Sequence, residues 1–545
     1  MLSAIISSLQ STDIFSILIT SIVIYVARFY YNYFTRPNPL PGPFPLPLFG
    51  NGHQIIGTNF NEWLLSMYKK YGDMFEIYMS ASRVIVVTRI DLMESMNVSS
   101  TKTKYPIRFL PTEGMSEYGL GGVGVANNIE PKSWKFNRQF FTQAMMTPSF
   151  NHQAVEWTIE LWEQMESHWN DLGENRELNL SKWMHRFTND MILRISTGVK
   201  NDAVTLYYNT LIEDNNKPLS EKEKEKINKS EQFVKSIEIF IRGFMPFLAF
   251  SKFIRQYVPF VRGEVNRLLE NKNYLLDRLY EVIKQRRIEI ENTPLDQPLR
   301  HDMLTSFITA NTPRDINIEK RSDTDLLRPM TDREICGNLL DAVVGGTDTT
   351  ANMLCFVIYY LEHNPEVKQK LRQELDSVLG KDLTKPMTFR NVEELKYCDA
   401  VIKEVFRHMP VIFAIGRFSV EDDKVGGYNW PKGTQFQMLT SALMMRDDYW
   451  TNPEKFDPDR FYKVEENDKY LLEKRHAKDA LIMWGGGIRM CPGRKLAMTE
   501  LKCLIPMIYR KYDIELTDMN APLKFRCDLL TSCEELLVKV KPRKF

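Results

Sequence analysis

Apolar residues recur with a helical period along most of this chain. Four stretches show the period most clearly, residues 155–175, 233–290, 332–363 and 495–512. Apolar positions three to four residues apart fall on one face of a helix. Shorter apolar or alternating runs, typical of strands, occur at 74–79, 83–88, 426–439, 514–517 and 535–540. The pattern predicts a mainly α fold with small β sheets in a single large domain.

The longest uncharged apolar stretch lies near the N-terminus. Residues 14–34 contain one charged residue, Arg28, and about 20 apolar residues span a bilayer as a helix. A cleaved signal peptide is the alternative, but residues 1–13 lack the Lys or Arg with which such a peptide begins. Positive charge follows at Arg28 and Arg36, which predicts a cytosolic body. We expect residues 1–36 to hold an uncleaved transmembrane anchor.

Proline occupies every second position from 37 to 47. This spacing blocks a helix and favours a stiff, extended chain. A docking motif for a proline-binding domain is one interpretation, and a rigid spacer next to the anchor is the favoured one. The expected organisation is an anchor segment at 1–36, a hinge at 37–50 and one domain at 51–545.

Composition and charge exclude several classes of protein. The chain is 43% hydrophobic and 26% charged, as in ordinary globular proteins, which excludes a disordered chain, a collagen and a coiled coil. Lys+Arg 71 against Asp+Glu 70 gives a net charge of +1, so no nucleic-acid partner is expected. Seven Cys without a CxxC pair indicate reduced thiols in a cytosolic compartment.

A second candidate membrane contact lies at residues 240–260, where six Phe are interleaved with Arg and Lys. Amphipathic segments of this composition lie in the plane of a membrane interface. A buried helix pair would give the same pattern, and both interpretations stay open at this point.

Poor helix formers interrupt the helix predicted at 332–363. Residues 345–350 are GGTDTT; each Gly costs about 1 kcal/mol against Ala, and Thr hydroxyls that bond to the preceding turn bend a helix. One interpretation is a close helix crossing that requires Gly. The functional one is that Asp348 and Thr349 form an acid–alcohol pair, which delivers protons into a buried cavity.

A glycine-rich loop precedes Cys491. Residues 484–493 are WGGGIRMCPG, and three consecutive glycines let the backbone approach a flat molecule closely. A helical pattern begins directly after Gly493, and a Cys at a helix N-terminus, here near Arg489, is favoured as a thiolate. A buried structural Cys, a nucleophile and a metal ligand are the three interpretations. The glycines favour a flat cofactor.

This loop resembles the haem-binding signature of the cytochromes P-450, the haem-thiolate monooxygenases. Gly487, Arg489, Cys491 and Gly493 match the signature, and Trp484 stands where the family usually has Phe.

Further segments match family motifs in the family's order. They are Trp134 and Arg138 in SWKFNRQF, GGTDTT at 345–350, Glu404 and Arg407 in EVFR, and Arg460 in PDRF. Arg417 stands where the family often has another partner of the haem propionates. MRDD at 445–448 departs from the family's HRDP, which affects only a local turn. The resemblance covers about residues 37 to 540.

The resemblance implies a single haem domain behind the anchor, with Cys491 as the axial ligand of the iron. The implied cofactor-binding residues are Trp134, Arg138, Arg417, Trp484, Arg489, Cys491 and Gly493. Asp348 and Thr349 are the implied catalytic pair. Glu404, Arg407 and Arg460 are implied to form a buried structural triad, since a buried charge survives only when it is paired.

The implied activity is insertion of one oxygen atom from O2 into a lipophilic small molecule. GLGGVG at 119–124 resembles a dinucleotide motif but has no clear strand before it, so a loop over the haem cavity is expected there. The chain carries no evident flavin or nicotinamide domain, and we expect electrons from a separate NADPH–cytochrome P-450 reductase. By family analogy, its acidic surface would be attracted by Lys132, Lys135, Arg138, Arg494 and Lys495.

Two other functions remain open. A haem-thiolate isomerase or dehydratase acting on peroxides needs no reductase, but such members tend to lack the acid–alcohol pair. A non-enzymatic haem protein is the second. The expected location is a single-pass protein of the endoplasmic reticulum membrane with its catalytic domain in the cytosol. Expected cavity walls are residues 109–127, 343–349 and 411–415, with Phe413 as a substrate contact.

Overall fold

Helices dominate the fold, and four small sheets lie around them. The computed structural model describes residues 11–544 apart from 56, 81, 101, 109–111, 146–147, 213–219, 316–326, 464–472 and 474–478. The expected cavity wall at 109–111 and the start of the charged run at 217–231 therefore lie outside the described residues. The prediction of a mainly α fold with small sheets is confirmed.

Twenty α-helices are named here in chain order. They are α1 Ser11–Phe34, α2 Gly52–Ile55, α3 Phe60–Tyr71, α4 Ile90–Met93, α5 Glu113–Tyr118, α6 Pro131–Met145, α7 Pro148–Leu172, α8 Leu180–Thr197, α9 Ala203–Ile212, α10 Glu221–Arg242, α11 Phe244–Ala249, α12 Lys252–Tyr257, α13 Pro259–Asn292, α14 Met303–Thr309, α15 Asp332–His363, α16 Pro365–Leu379, α17 Phe389–Glu394, α18 Lys396–His408, α19 Thr440–Leu443 and α20 Arg494–Lys511. Short 3-10 helices cover Glu94–Asn97, Pro458–Phe461 and Gly487–Arg489.

Within the described part of the chain, eleven strands form the sheets. They are β1 Met74–Met79, β2 Ser82–Val87, β3 Leu178–Asn179, β4 Ile415–Phe418, β5 Asp423–Val425, β6 Tyr428–Trp430, β7 Gln435–Met438, β8 Tyr512–Leu516, β9 Lys524–Cys527, β10 Thr531–Glu535 and β11 Leu537–Pro542. The largest sheet has the order β1-β2-β7-β4, in which β2 and β7 are parallel and the other pairs antiparallel. It carries Arg417 on its edge strand, β4.

The central helix α15 has the bounds that its pattern predicts. It begins at a complete capping box, in which the Thr331 side chain and Glu334 satisfy each other's backbone N–H groups. It ends before Pro365, and α8, α13, α18 and α20 pack around it. Most of its side chains are buried, so this helix is the axis of the core.

The region of helical period at 233–290 is helical, and it is divided among α10, α11, α12 and α13. The helical conformation is interrupted at Gly243, at Ser251 and again at Val258, and Pro259 starts α13. Pro is favoured in the first turn of a helix because its missing N–H is not needed there. The charged run before this region is the exposed start of α10, capped by Ser220.

Helix α1 fits a membrane anchor. Among the described residues, Phe15–Phe34 is the single helical stretch long and apolar enough to span a bilayer, and nearly all of it is exposed. Its last turns contact the domain: Tyr30 stacks on Phe44 with ring centroids 5.4 Å apart. Helix α1 thus joins the globular body through an aromatic cluster.

The first part of the proline-rich hinge is packed onto β1. Glu76 donates its backbone N–H to the Pro41 carbonyl at 3.0 Å, and Arg83 bonds both to the Glu76 carboxylate at 2.8 Å and to the Pro37 carbonyl at 2.7 Å. A Cβ on Gly42 would collide with the Glu76 carbonyl. These contacts fix the direction in which α1 leaves the domain.

A buried charged network joins α18 to the 3-10 helix at Pro458–Phe461. Arg407 donates to the Glu404 carboxylate at 2.8 and 2.9 Å, and Arg460 reaches it at 3.2 Å. Arg460 also bonds to Glu473 at 2.9 Å. Burial opposes ionisation of Glu404, but the hydrogen bonds from Arg407 and His408 prevail and lower the pKa of Glu404 to about 2. The sequence analysis missed Glu473 and His408.

Candidate active site

A cavity of about 420 Å³ lies between α15 and the loop before α20. Seven residues singled out from the sequence line it, namely Trp134, Arg138, Thr349, Trp484, Arg489, Cys491 and Gly493. The loop at Val125 and Ala126, which follows GLGGVG, forms another wall. The folded chain thus brings together residues that lie more than 350 positions apart in sequence.

The glycines of the Cys491 loop allow it to pack closely against Asn97 and Val98. A Cβ on Gly486 would lie 2.6 Å from the Asn97 side chain, and one on Gly487 would lie 2.6 Å from the Val98 carbonyl. Gly485 and Gly487 have φ of 70° and 64°, values that other residues avoid. The Cys491 N–H donates to the Trp484 carbonyl at 2.8 Å. The loop therefore holds the thiol at the cavity wall.

Burial and nearby positive groups have opposite effects on the pKa of the Cys491 thiol. Burial raises the pKa of the Cys491 thiol, and this outweighs the lowering by the Gly493 N–H and by Arg108, Arg138 and Arg494. A bound cation changes this balance, since a coordinating thiol is deprotonated outright.

Four arginine side chains converge on one side of the cavity. Arg108, Arg138 and Arg489 line it, and Arg417 donates to the Gly486 carbonyl at 3.2 Å. Burial, followed by repulsion from Arg108, lowers the pKa of Arg138 to about 10 and that of Arg417 to about 9. Among the described residues, Arg108 Nε and two nitrogens of Arg489 have no hydrogen-bond partner. Asp341 is the one described carboxylate that acts on Arg108 and Arg489, so positive charge exceeds negative charge in the cluster.

These residues fit a haem. Its two propionates would supply the negative charge that the arginines lack and would accept their unpaired N–H groups. The Cys491 thiol would supply an axial ligand to the iron. Trp134 supports the cluster, because its ring lies 4.6 Å from the Arg489 guanidinium and its N–H donates to the Val125 carbonyl at 3.2 Å.

The close-crossing interpretation of GGTDTT applies to Gly346, whereas Gly345 and Thr349 face the cavity. A Cβ on Gly346 would lie 2.6 Å from the Ile192 side chain of α8, so Gly346 permits a close helix crossing. Gly345 has open space at the same position and lines the cavity together with Thr349. The Thr349 hydroxyl donates to the Gly345 carbonyl at 2.7 Å. The helix is continuous, and its cavity face carries a hydroxyl.

Asp348 lies on the other side of α15 from the cavity. Its carboxylate is buried against α8, where Nε2 of His185 is 3.8 Å from Asp348 Oδ1. Burial raises the pKa of Asp348, and His185 opposes the rise. Adjacent helical residues are about 100° apart around the axis, so the expected pair spans α15 instead of sharing one face.

Three charged residues at the cavity were missed by the sequence analysis. Asp341 accepts the Val125 and Ala126 N–H groups at 2.6 and 2.9 Å, and burial raises its pKa to about 6. Glu500 of α20 also lines the cavity, and burial raises its pKa to about 8. Spacing by four along the helix puts Asp341 on the face of Gly345 and Thr349, a signal that was readable. Arg108 carries no such signal in the sequence, because the bridge between Ile107 and Phe418 brings it to the site.

The fold and this cavity define a haem-binding domain of the haem-thiolate class. The sequence model of the family Cytochrome P450 matches residues 40–541, and the chain belongs to the cytochrome P450 family. It is a monooxygenase with haem as its cofactor, and it uses O2 and electrons from a redox partner.

Curated relatives match over most of the chain. Cytochrome P450 3A7 of Homo sapiens is 25% identical over 521 residues, which cover 92% of this chain and 91% of the relative. Cytochrome P450 3A14 of Cavia porcellus is 24% identical over 536 residues, covering 96% and 95%. Probable cytochrome P450 4d20 of Drosophila melanogaster is 25% identical over 532 residues, covering 93% of each chain.

Proposed function

We propose that this chain oxygenates a lipophilic small molecule with electrons from a separate NADPH–cytochrome P-450 reductase. The observation that carries the proposal is a single cavity that joins the Cys491 thiol, an arginine cluster without matching negative charge and the Thr349 hydroxyl. In this proposal, Cys491 is the axial ligand. The residues around the cofactor are Trp134, Arg138, Arg417, Trp484, Arg489 and Gly493, and Arg108 joins them.

When bound, haem with a thiolate ligand supplies the activation of dioxygen and the cleavage of its O–O bond. The residues of the chain do the rest. The arginines bind and orient the cofactor, Thr349 holds a proton at the cavity wall, and Asp348 supplies protons from the outer side of α15. General acid–base groups of this kind contribute about 10²–10⁴-fold to a rate.

A lipophilic substrate is supported by the apolar part of the cavity wall. Phe60, Ile77, Val84, Leu248 and Phe413 line this part, and apolar walls with few polar groups bind apolar ligands. Such walls also exclude water from the reacting centre.

A reductase partner is supported by positive charge at the surface near the Cys491 loop. Lys132 of α6 and Arg494 and Lys495 of α20 are exposed. Helix α6 contacts the loop through Arg138, which donates to the Met490 carbonyl at 2.6 Å. An acidic protein surface would be attracted here. We also propose that the domain lies on the cytosolic face of the endoplasmic reticulum, because positive charge follows the anchor at Arg28 and Arg36.

Thr349→Ala tests the monooxygenase function. We expect NADPH consumption to continue while product per NADPH falls about tenfold, because the proton-holding hydroxyl at the cavity wall is lost. Alanine keeps α15 helical. Product and NADPH are measured in the same reconstituted reaction with the reductase.

Thr347→Ala is the matched control. Its hydroxyl donates to the Val343 carbonyl at 2.8 Å, and it lies at the α8 side of the helix, near Asn189. Its product per NADPH should equal that of the wild type. An unchanged ratio in Thr349→Ala would contradict the proton role and favour a peroxide isomerase.

Only part of the segment 240–260, the candidate for a second membrane contact, has exposed aromatic side chains. Phe240, Phe244 and Phe247 are buried. The side chains that face outward are Phe253, Tyr257 and Phe260, which are 69%, 68% and 93% exposed. We therefore propose that α12 and the start of α13 lie in the membrane interface.

A protein lacking residues 1–28 is expected to bind lipid vesicles through this segment. The truncation leaves Tyr33 and Arg36 in place on the domain. Adding Phe253→Ser, Tyr257→Ser and Phe260→Ser should weaken binding at least about tenfold, because roughly 1.5–3 kcal/mol of burial is lost per apolar side chain. Vesicle co-sedimentation measures this. Ile288→Ser with Leu295→Ser, at two other exposed apolar positions, is the control, and equal binding of both variants would refute the contact.

A further inference from the structure

His185 and Asp348 face each other across the crossing of α8 and α15. Nε2 of His185 is 3.8 Å from Oδ1 of Asp348, and their side chains are 16% and 5% exposed. The two helices are closely packed at this point. Gly346 contacts Ile192, and the Thr188 hydroxyl donates to the Thr347 carbonyl at 2.7 Å. The distance between the ring and the carboxylate is therefore set by the packing of two core helices.

The hydrogen bonds of the ring decide where its proton lies. Nδ1 of His185 is 2.7 Å from the Ser181 carbonyl, and a carbonyl oxygen only accepts, so Nδ1 carries a hydrogen. The Ser181 hydroxyl donates elsewhere, to the Cys533 carbonyl at 2.7 Å. In neutral His185, Nε2 is then an acceptor that faces a carboxylate oxygen. Two acceptors in a buried site repel each other unless they share a proton, and because 3.8 Å exceeds a direct hydrogen bond, a bridging water would carry that proton.

Two further charged groups act on this pair, both from α10. Glu238 raises the pKa of Asp348 and Arg242 lowers it, behind the larger effects of burial and of His185. Glu238 and Arg242 form an ion pair with each other, and their side chains are 44% and 40% exposed. The pair of His185 and Asp348 therefore lies between solvent at α10 and the buried side of α15.

We propose that His185 is a positioning residue for proton delivery, which holds one exchangeable proton together with Asp348 on the outer side of α15. This inference rests on the proposed function and extends it to a residue outside the cavity. When Asp348 releases that proton toward the Thr349 side, a proton from solvent near α10 binds Nε2 and passes to Asp348, which restores the starting state. The hydrogen on Nδ1 stays donated to the Ser181 carbonyl, and this bond fixes the ring.

His185→Asn is the informative variant. The Asn amide nitrogen replaces Nδ1 as the donor to Ser181, but no group then faces Asp348. Infrared difference spectra of the ferric holoprotein across pH follow the protonated carboxylic acid, and the band lost in Asp348→Asn assigns it to Asp348. We expect the Asp348 band to persist to higher pH in His185→Asn, because the group that lowers the pKa of Asp348 is gone. An unchanged titration would overturn the pairing.

Reconstituted turnover then tests the role in proton delivery. We expect product per NADPH to fall about tenfold in His185→Asn, with little further loss when Asp348→Asn is added, since residues of one network are not additive. A shifted titration with unchanged product per NADPH would overturn the positioning role. A loss in Thr349→Ala without a loss in His185→Asn would overturn it and leave the proposed function intact.

Two further proteins complete the experiment. His185→Gln keeps a polar, non-titrating group toward Asp348 and replaces His185→Asn if the latter does not fold, with the same expected results. His168→Asn is the matched control on α7, where Nε2 of His168 lies 3.0 Å from the Thr205 hydroxyl. Its Asp348 titration and its product per NADPH should equal those of the wild type.

Discussion

Replacement of Cys491 by alanine is expected to abolish the strongly red-shifted Soret band of the ferrous–CO protein. That band requires a thiolate on the iron, and Cys491 is the described cysteine that lines the cavity beside the arginine cluster. The arginines and Trp134 are untouched, so part of the haem should still bind. Monooxygenase activity should fall below detection, since the thiolate supplies the electron density for O–O cleavage.

Cys503→Ala is the matched control for this prediction. Cys503 lies on α20 as well, and it is fully buried in the helical core. Its removal should lower stability slightly and leave the Soret band unchanged. A red-shifted band in Cys491→Ala, or its loss in Cys503→Ala alone, would show that the axial ligand is another residue.

Arg460→Ala is expected to destabilise the domain by about 3–5 kcal/mol, the cost of leaving a buried charge without its partner. Arg460 is fully buried and neutralises both Glu404 and Glu473. It also donates to the Thr451 and Asn452 carbonyls at 2.7 and 2.9 Å. Denaturant unfolding of the ferric holoprotein, followed by circular dichroism, measures the loss.

An exposed ion pair provides the control for this variant. Arg390 bonds to Glu394 at 2.9 Å, but its side chain is 87% exposed. Exposed pairs contribute about 0–1 kcal/mol, so Arg390→Ala should unfold close to the wild type. Equal losses in the two variants would contradict the structural role of the buried network.

The same network predicts the response to acid. The pKa of Glu404 is about 2 in the folded protein against an ordinary value of 4.5. A lowered folded-state pKa stabilises the fold above pH 4.5, and this stabilisation is lost as the pH falls toward 2. In Arg460→Ala one of the positive partners is gone, so acid unfolding should begin at a higher pH than in the wild type.

Local patterns predicted the parts of the fold that depend on neighbouring residues in the chain. The bounds of α15 follow from its capping box and from Pro365, and β1 follows from a run of six residues. The apolar period at 233–290 continues through Gly243 and Val258, so it did not locate the ends of the helices in that region. The turns there depend on the packing of Phe240, Phe244 and Phe247 against Tyr118.

Local spacing predicted the candidate haem site at the loop of Cys491 and at GGTDTT. Contacts between distant segments determine which charges meet there. Arg108 reaches the cavity through a bridge to β4, Glu473 joins Arg460 from a separate segment, and His185 meets Asp348 across two helices. Periodicity shows which face of a helix is buried but not which face of another helix covers it. The packing therefore determines which buried charges pair. The separation of two residues in sequence does not predict whether they pair.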